Sequence, residues 1–431
     1  MTRDDTPPSS GLHARRAAVQ LLRGVLEEKE QLSALLGSGV LDRLEPADRA
    51  RAQRLATTTL RELGRADVVI SQFVEKMPPD VALNILRLAV VELCVEGEAP
   101  HGVVDSAVNL MKRSGRSPRM AGLANAVLRK VATEGPQMWA DIPASPMPKW
   151  LRPRVVHLFD EATAQAIEAA HLAGAPLDIT LRDEDKAEHW AEQLGAEVLP
   201  TGSLRITRSV QVTELPGFAE GAWWIQDAAA AIAARMLNAQ KGEAVLDMCA
   251  APGGKTMQLA ATGADVTALD ISADRMVWVE ENLQRTGLSA KLMIEDALNA
   301  PDDVLYDAVL LDAPCSATGT IRRHPDLPYA KDGTQLNELF ALQADMIDTA
   351  VSLLKPGGRL VFCTCSLLFD EGERQAKTAM ERHGLTEIEP DLKGLEPEWR
   401  SRVGGLRLSP SYWADRGGMD GFFMIALRKP E

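Results

Sequence analysis

Glu243-Ala244-Val245-Leu246-Asp247-Met248-Cys249-Ala250-Ala251-Pro252-Gly253-Gly254-Lys255-Thr256 reads as a strand, a loop of small residues and the start of a helix. Gly253 and Gly254 let the backbone approach a ligand closely, and the N-terminus of the following helix offers free N–H groups. The loop is neither a Gly-x-Gly-x-x-Gly fingerprint nor a Walker loop, which would place a second glycine before Lys-Ser/Thr. Read alone, it is also compatible with a plain tight turn.

Its surroundings argue for more than a turn. From residue 223 onward, strand-like runs at 244–247, 265–270, 291–294, 307–312, 359–363 and 422–428 alternate with helical segments at 226–237, 255–261, 273–286, 335–354 and 371–383. Such alternation predicts a doubly wound α/β domain around a mostly parallel sheet, in which ligands collect at the carboxyl ends of the strands. Asp270 ends the second strand, where a carboxylate accepts both hydroxyls of a ribose. Asp296 ends the third, after Glu295, where an adenine amino group is expected. Acid and glycine at three successive strand ends, with nothing provided for a phosphate, describe a nucleoside pocket.

Two further strand ends carry sulfur. Leu310-Leu311-Asp312-Ala313-Pro314-Cys315-Ser316 and Leu360-Val361-Phe362-Cys363-Thr364-Cys365-Ser366 each run from an apolar stretch into a Cys-Ser pair. Free cysteine is most often a small buried apolar residue, and Cys94 and Cys363 fit that description. Cys315 and Cys365, at adjacent strand ends, read instead as reagents. Cys363-x-Cys365 has no second pair at zinc spacing and no nearby histidine cluster, so no metal is expected.

Upstream of residue 223 the pattern changes twice. Residues 13–138 carry apolar residues at three- and four-residue spacing, which predicts an all-α domain; 1–12 are expected as a disordered tail. A Pro-rich linker follows over 139–150, with Pro136 just before it, and then a small α+β subdomain over 151–222. Among 431 residues of net charge −14, residues 1–140 hold 19 Lys+Arg against 17 Asp+Glu, and the remainder 28 against 44. An acidic total excludes wholesale coating of nucleic acid. Lys112, Arg113, Arg116, Arg119, Arg129 and Lys130 nevertheless fall in a stretch free of acids, which reads either as a solvated helix face or as a nucleic-acid patch. Five irregularly spaced cysteines suit a reducing cytoplasm. No run approaches the about 18 apolar residues of a membrane span, so no membrane partner is expected.

Together, Asp-Met-Cys-Ala-Ala-Pro-Gly-Gly-Lys-Thr (247–256), Asp-Ala-Pro-Cys-Ser (312–316) and Cys-Thr-Cys-Ser (363–366) resemble the RNA 5-methylcytosine methyltransferases, in particular the bacterial RsmB/Sun type that modifies 16S ribosomal RNA. Val103-Asp105-Ala107-Val108-Asn109 and Asn125-Ala126-Val127-Leu128-Arg129 are similar to the NusB antitermination factor, which that subfamily carries as an RNA-binding domain. The resemblance implies a Rossmann-like class I methyltransferase fold, S-adenosyl-L-methionine as cofactor, 16S ribosomal RNA as partner and a monomer in the cytoplasm. It assigns cofactor contacts to Cys249, Ala250, Ala251, Pro252, Gly253, Gly254, Lys255, Asp270, Asp296 and Asp312. It makes Cys365 the nucleophile, has Cys315 assist release and has Asp312 bind and help protonate the base, with Pro314 fixing the loop that aims Cys315. Arg322 and Arg323 open a turn, 322–326, that resembles the family's basic turn. Phosphate contact is their functional reading and a solvated loop the alternative; Lys112, Arg113, Arg116 and Arg119 join them as RNA-binding candidates. Gln226-Asp227 resembles a motif lining the active site, and Asp420-Gly421-Phe422-Phe423 the family's last motif.

The chemistry explains the need for sulfur. Carbon 5 of cytosine is a poor nucleophile; a thiolate added at carbon 6 pushes electron density onto it and splits one hard step into two easier ones. The target base must be flipped out of its RNA context to be reached. Three competitors stand beside this reading. One is the same chemistry at another rRNA or tRNA site. Another is ribose 2′-O-methylation, which needs a Lys-Asp-Lys-Glu base set and no cysteines. The last is a non-catalytic RNA-binding regulator, which has no need of the 249–255 loop.

Overall fold

The computed structural model describes residues 10–114, 118–301 and 303–431. They fall into two compact units: one runs to Arg152 and takes in Arg323–Asp332, and the other comprises Pro153–Arg322 and Gly333–Glu431.

The first unit is built from helices Ser10–Leu26, Leu32–Gly37, Pro46–Arg61, Leu63–Ser71, Asp80–Cys94, Pro100–Arg113 and Ala121–Asp141. Pro46 and Pro100 sit in the first turns of their helices, where the missing N–H costs nothing, and Pro79 caps the helix that starts at Asp80. Apolar faces such as Ile85, Leu86, Ala89 and Val90 pack with Val127, Leu128 and Val131 into one core. Two boundaries differ from expectation. The first helix begins at Ser10, inside the stretch read as a tail, and the last continues through Pro136 to Asp141. Proline removes one helical hydrogen bond, but Trp139 just beyond it is buried. The Arg65 guanidinium lies 4.5 Å over the Trp139 ring and donates to the Trp139 and Ile142 carbonyls at 2.7 and 3.0 Å. The stretch expected as a linker therefore packs with this unit. So does Arg323–Asp332, where Asp326 Oδ2 accepts from Leu32 N at 3.0 Å at the start of Leu32–Gly37.

The second unit holds two sheets. In the smaller, β1 (Leu177–Leu181), β2 (Glu197–Val198), β3 (Leu204–Ile206) and β4 (Trp223–Ile225) run in the order β2-β3-β1-β4, all antiparallel. This corrects the boundary read at 222/223. Trp223 pairs with Leu181 and Ile225 with Ile179, so residues 223–225, read from the sequence as the start of the third domain, form a strand that closes the second. The larger sheet uses β5 (Ala244–Met248), β6 (Asp265–Asp270), β7 (Lys291–Ile294), β8 (Tyr306–Asp312), β9 (Leu354–Thr364), β10 (Thr386–Ile388), β11 (Leu406–Leu408) and β12 (Phe422–Arg428). Its order is β10-β12-β9-β8-β5-β6-β7, with β11 on β12; β5 to β9 pair in parallel, and β12 is antiparallel to β9. Helices Ala228–Leu237, Gly254–Ala261, Ala273–Thr286, Leu336–Ser352 and Glu373–His383 accompany it, as a doubly wound, Rossmann-like domain requires. Parallel pairing in register sets Asp312 opposite Cys363 and Met248 opposite Leu311, which gathers the carboxyl ends of β5, β8 and β9 at one edge. Among the described residues, no helix is long and apolar enough to cross a membrane.

Candidate active site

The loop after β5 is shaped by its backbone. Cys249 adopts φ +63° and Gly253 φ +100°, conformations that cost a non-glycine residue about 1–2 kcal/mol. Ala250 N donates to Leu269 O at 3.0 Å and Ala251 N to Asp270 Oδ2 at 3.1 Å, so the end of β6 holds the loop. Arg275 donates to the Ala251 carbonyl from the next helix. Asp270, placed at the strand end as expected, is buried and also accepts from Ser272 N at 3.0 Å. Asp296 is half-buried and accepts from Leu298 N. A Cβ on Gly253 would meet Val279 at 3.2 Å, and no side chain caps the helix that begins at Gly254.

Beneath the loop lies a chain of charges. Lys255 Nζ is 2.7 Å from Asp312 Oδ2, and Cys363 Sγ is 3.5 Å from Asp312 Oδ1. Burial pulls the Lys255 ammonium down, but Asp312, Cys363 and Asp247 outweigh it and hold the group above its ordinary value. Burial pushes the carboxyl of Asp247 up to about 7, against the 2.6 Å hydrogen bond from Thr256 Oγ1. Its other oxygen, Asp247 Oδ1, is buried without a hydrogen-bond partner among the described residues. Burial, and then the charges of Asp312 and Asp270, raise the Cys249 thiol, which disfavours its thiolate.

The structure brings the two cysteines together: Cys315 Sγ and Cys365 Sγ lie 3.5 Å apart, both half-buried. The hydrogen bond to Cys365, then burial and the nearby Glu371, raise the Cys315 thiol well above its ordinary value. Cys363 is fully buried on β9, as its place in the strand implies. Cys94, on the helical unit, is pushed up to about 11 by burial.

Other expected residues land elsewhere. Arg322 is no phosphate contact: its side chain is fully buried, with Nη2 2.5 Å from Asp227 Oδ2, Nε 2.9 Å from Asp420 Oδ1 and Nη1 2.8 Å from Gly417 O. The two aspartates of the Gln226-Asp227 and Asp420-Gly421 motifs thus serve as partners of one buried cation. Gln226 is equally engaged, accepting from Trp224 Nε1 and donating to Gln258. Arg323 is exposed in the segment that belongs to the helical unit. Lys112, Arg113 and Arg119 are exposed there as well, the first two in the last turn of Pro100–Arg113, where cations suit the helix dipole. Arg116 lies outside the described residues. No group of three His, Cys, Asp or Glu among the described residues could hold a metal.

Sequence reasoning missed the groups that hold the cysteine loops. Buried Glu371 bonds to Ser316 and Ser366, the residues after each cysteine, and to Gln343. Gly319 N donates to Cys365 O at 2.9 Å, and a Cβ there would lie 1.9 Å from Gly421 O. The one signal available was Glu371's place six residues past Cys365.

Residues 234–428 match the family model described as 16S rRNA methyltransferase RsmB/F, and residues 12–133 match the NusB family. A curated relative from Xanthomonas campestris pv. campestris, named ribosomal RNA small subunit methyltransferase B, is 34% identical over 98% of this chain and 98% of its own. Another of that name from Pseudomonas putida is 33% identical over 97% and 99%. Among solved structures, PH0851 superposes with a TM-score of 0.74 at 23% identity, covering 99% of this chain and 100% of its own. A methyltransferase homolog protein from Pyrococcus horikoshii superposes at 0.55 with 26% identity, covering 64% and 93%.

Proposed function

The chain belongs to the ribosomal RNA small subunit methyltransferase B family, and from that premise we propose that it methylates carbon 5 of one cytosine in 16S ribosomal RNA through a covalent adduct with Cys365. The observation that carries this reading is the pair of thiols 3.5 Å apart at the ends of two adjacent parallel strands, next to Asp312.

The residues present fit S-adenosyl-L-methionine. The loop 249–255 brings bare backbone, with glycine at 253 and 254, to the carboxyl end of β5, Asp270 and Asp296 offer carboxylates at successive strand ends, and the orphaned Asp247 Oδ1 offers a buried acceptor. When bound, the cofactor supplies a methyl group on a sulfonium. Cys365, as thiolate, adds to carbon 6 of cytosine, and the displaced electron pair is taken up through ring nitrogen 3, at the base edge that Asp312 binds and helps to protonate. Carbon 5, now electron-rich, accepts the methyl group. The adduct clears when carbon 5 gives up its proton to solvent water, nitrogen 3 releases the proton it had taken up, the ring double bond re-forms and the carbon–sulfur pair returns to Cys365. A Cys315 kept as thiol donates a hydrogen bond to that sulfur and stabilises it as the leaving group. The reaction belongs in the cytoplasm with the ribosomal RNA.

Methyl transfer to 16S RNA, with the product located by bisulfite sequencing, tests this. Cys365→Ala should abolish transfer, and Cys315→Ala should accumulate a protein–RNA complex that survives denaturing electrophoresis. Full turnover by Cys365→Ala would end the covalent reading.

A further inference from the structure

We infer that Glu371 is a positioning residue for the two cysteines, a staple that joins the loops after β8 and β9 and sets the spacing of Cys315 and Cys365. The inference rests on the proposed roles of those cysteines. The Glu371 carboxyl is fully buried. Oε1 accepts from Ser316 N at 2.8 Å and Gln343 Nε2 at 3.0 Å; Oε2 accepts from Ser316 Oγ and Ser366 Oγ, each at 2.5 Å. All four partners donate, which is what an acceptor-only carboxylate requires. Ser316 and Ser366 each follow a cysteine directly, so one side chain fixes both loops.

The surrounding bonds tighten the same joint. Gln343 Nε2, from helix Leu336–Ser352, also donates to Pro314 O at 2.8 Å, immediately before Cys315. Leu367 N donates to Thr318 Oγ1 at 2.9 Å, and Thr364 Oγ1 donates to Glu371 O at 3.2 Å. Glu371 does not touch the thiols through a hydrogen bond; it acts through the serines. Its charge nevertheless reaches Cys315, where, after the Cys365 hydrogen bond and burial, it helps to keep the thiol protonated. A staple and a charge are separable, and that makes the role testable.

Full-length Glu371→Gln should lower kcat on 16S RNA about 100-fold, since a displacement near 1 Å of reacting groups costs that much. KM for S-adenosyl-L-methionine should stay within about twofold, because that site is built on other strand ends. In the same variant, iodoacetamide labelling of Cys315, followed by mass spectrometry, should shift to lower pH. The pair Ser316→Ala with Ser366→Ala keeps the charge and removes the two hydroxyl links, Ser366's only bond to Glu371 among them, so kcat should fall while the Cys315 labelling profile stays put. Wild-type kcat and labelling profile in Glu371→Gln would overturn the inference. So would a loss shared equally by kcat, cofactor KM and Tm in both variants, which marks a general packing defect. Turnover by Cys365→Ala, in contrast, would remove the proposed nucleophile and leave the Glu371 result to be read as loop geometry alone.

Discussion

The loop after β5 and the loops after β8 and β9 sit at the same sheet edge, yet they are held in opposite ways. Residues 249–255 owe their shape mainly to backbone: a positive φ at Cys249 and at Gly253, and main-chain N–H groups that donate to the Leu269 carbonyl and the Asp270 carboxylate. Residues 313–322 and 365–372 owe theirs to buried charge, with Glu371 between the serines and Arg322 between Asp227 and Asp420. A third clamp, Arg407, lies 2.5 Å from Glu373 Oε2 and donates to the Ser366 carbonyl. A backbone-built loop can receive a ligand without moving, because its conformation is fixed by its own main chain and by the strand end and helix next to it. A charge-built loop depends on partners far along the chain, and its geometry is lost when any one of them goes.

The largest effect should follow from removing a clamp. Arg322→Ala strands two buried aspartates, and breaking a buried pair in this way costs about 3–5 kcal/mol. Urea unfolding should show that loss in the unit that contains residues 153–322. A loss below about 1 kcal/mol would mean that the loop is held by packing and not by charge.

A smaller, pH-dependent effect should come from Asp247. Burial raises its carboxyl from 3.8 to about 7 in the folded chain, so below about pH 4 it is protonated in both states and costs nothing. As pH rises, the unfolded chain ionises first and gains, and stability falls until the folded group also ionises near pH 7. Asp247→Asn cannot ionise, so the difference in stability between variant and wild type should grow from pH 4 to 7 in favour of the variant. Thermal unfolding of the cofactor-free protein across that range measures it. A difference independent of pH would mean that Asp247 is ionised throughout.

This contrast also explains what could be read from the sequence. β6, β7, β12 and helix Ala273–Thr286 fall where local periodicity puts them, because the pattern that specifies each lies inside it. The cysteine pair was legible for the same reason, each thiol sitting just past an apolar run. β4, β10 and β11 span three residues each, too short to carry a period, and none of them is among the strands read from the sequence. Arg322 looked like a surface cation because its partners lie 95 and 98 residues away. Glu371 was hidden by its pairing with Ser316, 55 residues upstream. Long-range polar joints leave no local mark, so sequence reading finds the reagents before it finds what holds them.

The mildest test sharpens the other side of the comparison. At φ +100° Gly253 occupies a region that an alanine enters at a cost of about 1–2 kcal/mol, and its Cβ would stand 3.2 Å from Val279. Gly253→Ala should therefore lower stability by about that amount and weaken binding of S-adenosyl-L-methionine in calorimetry. The cysteine loops take no support from residue 253, so iodoacetamide labelling of Cys315 in the cofactor-free protein should match wild type. Altered Cys315 labelling in this variant would show that the two loop systems are coupled, and the division between a backbone-built cradle and charge-built cysteine loops would fail.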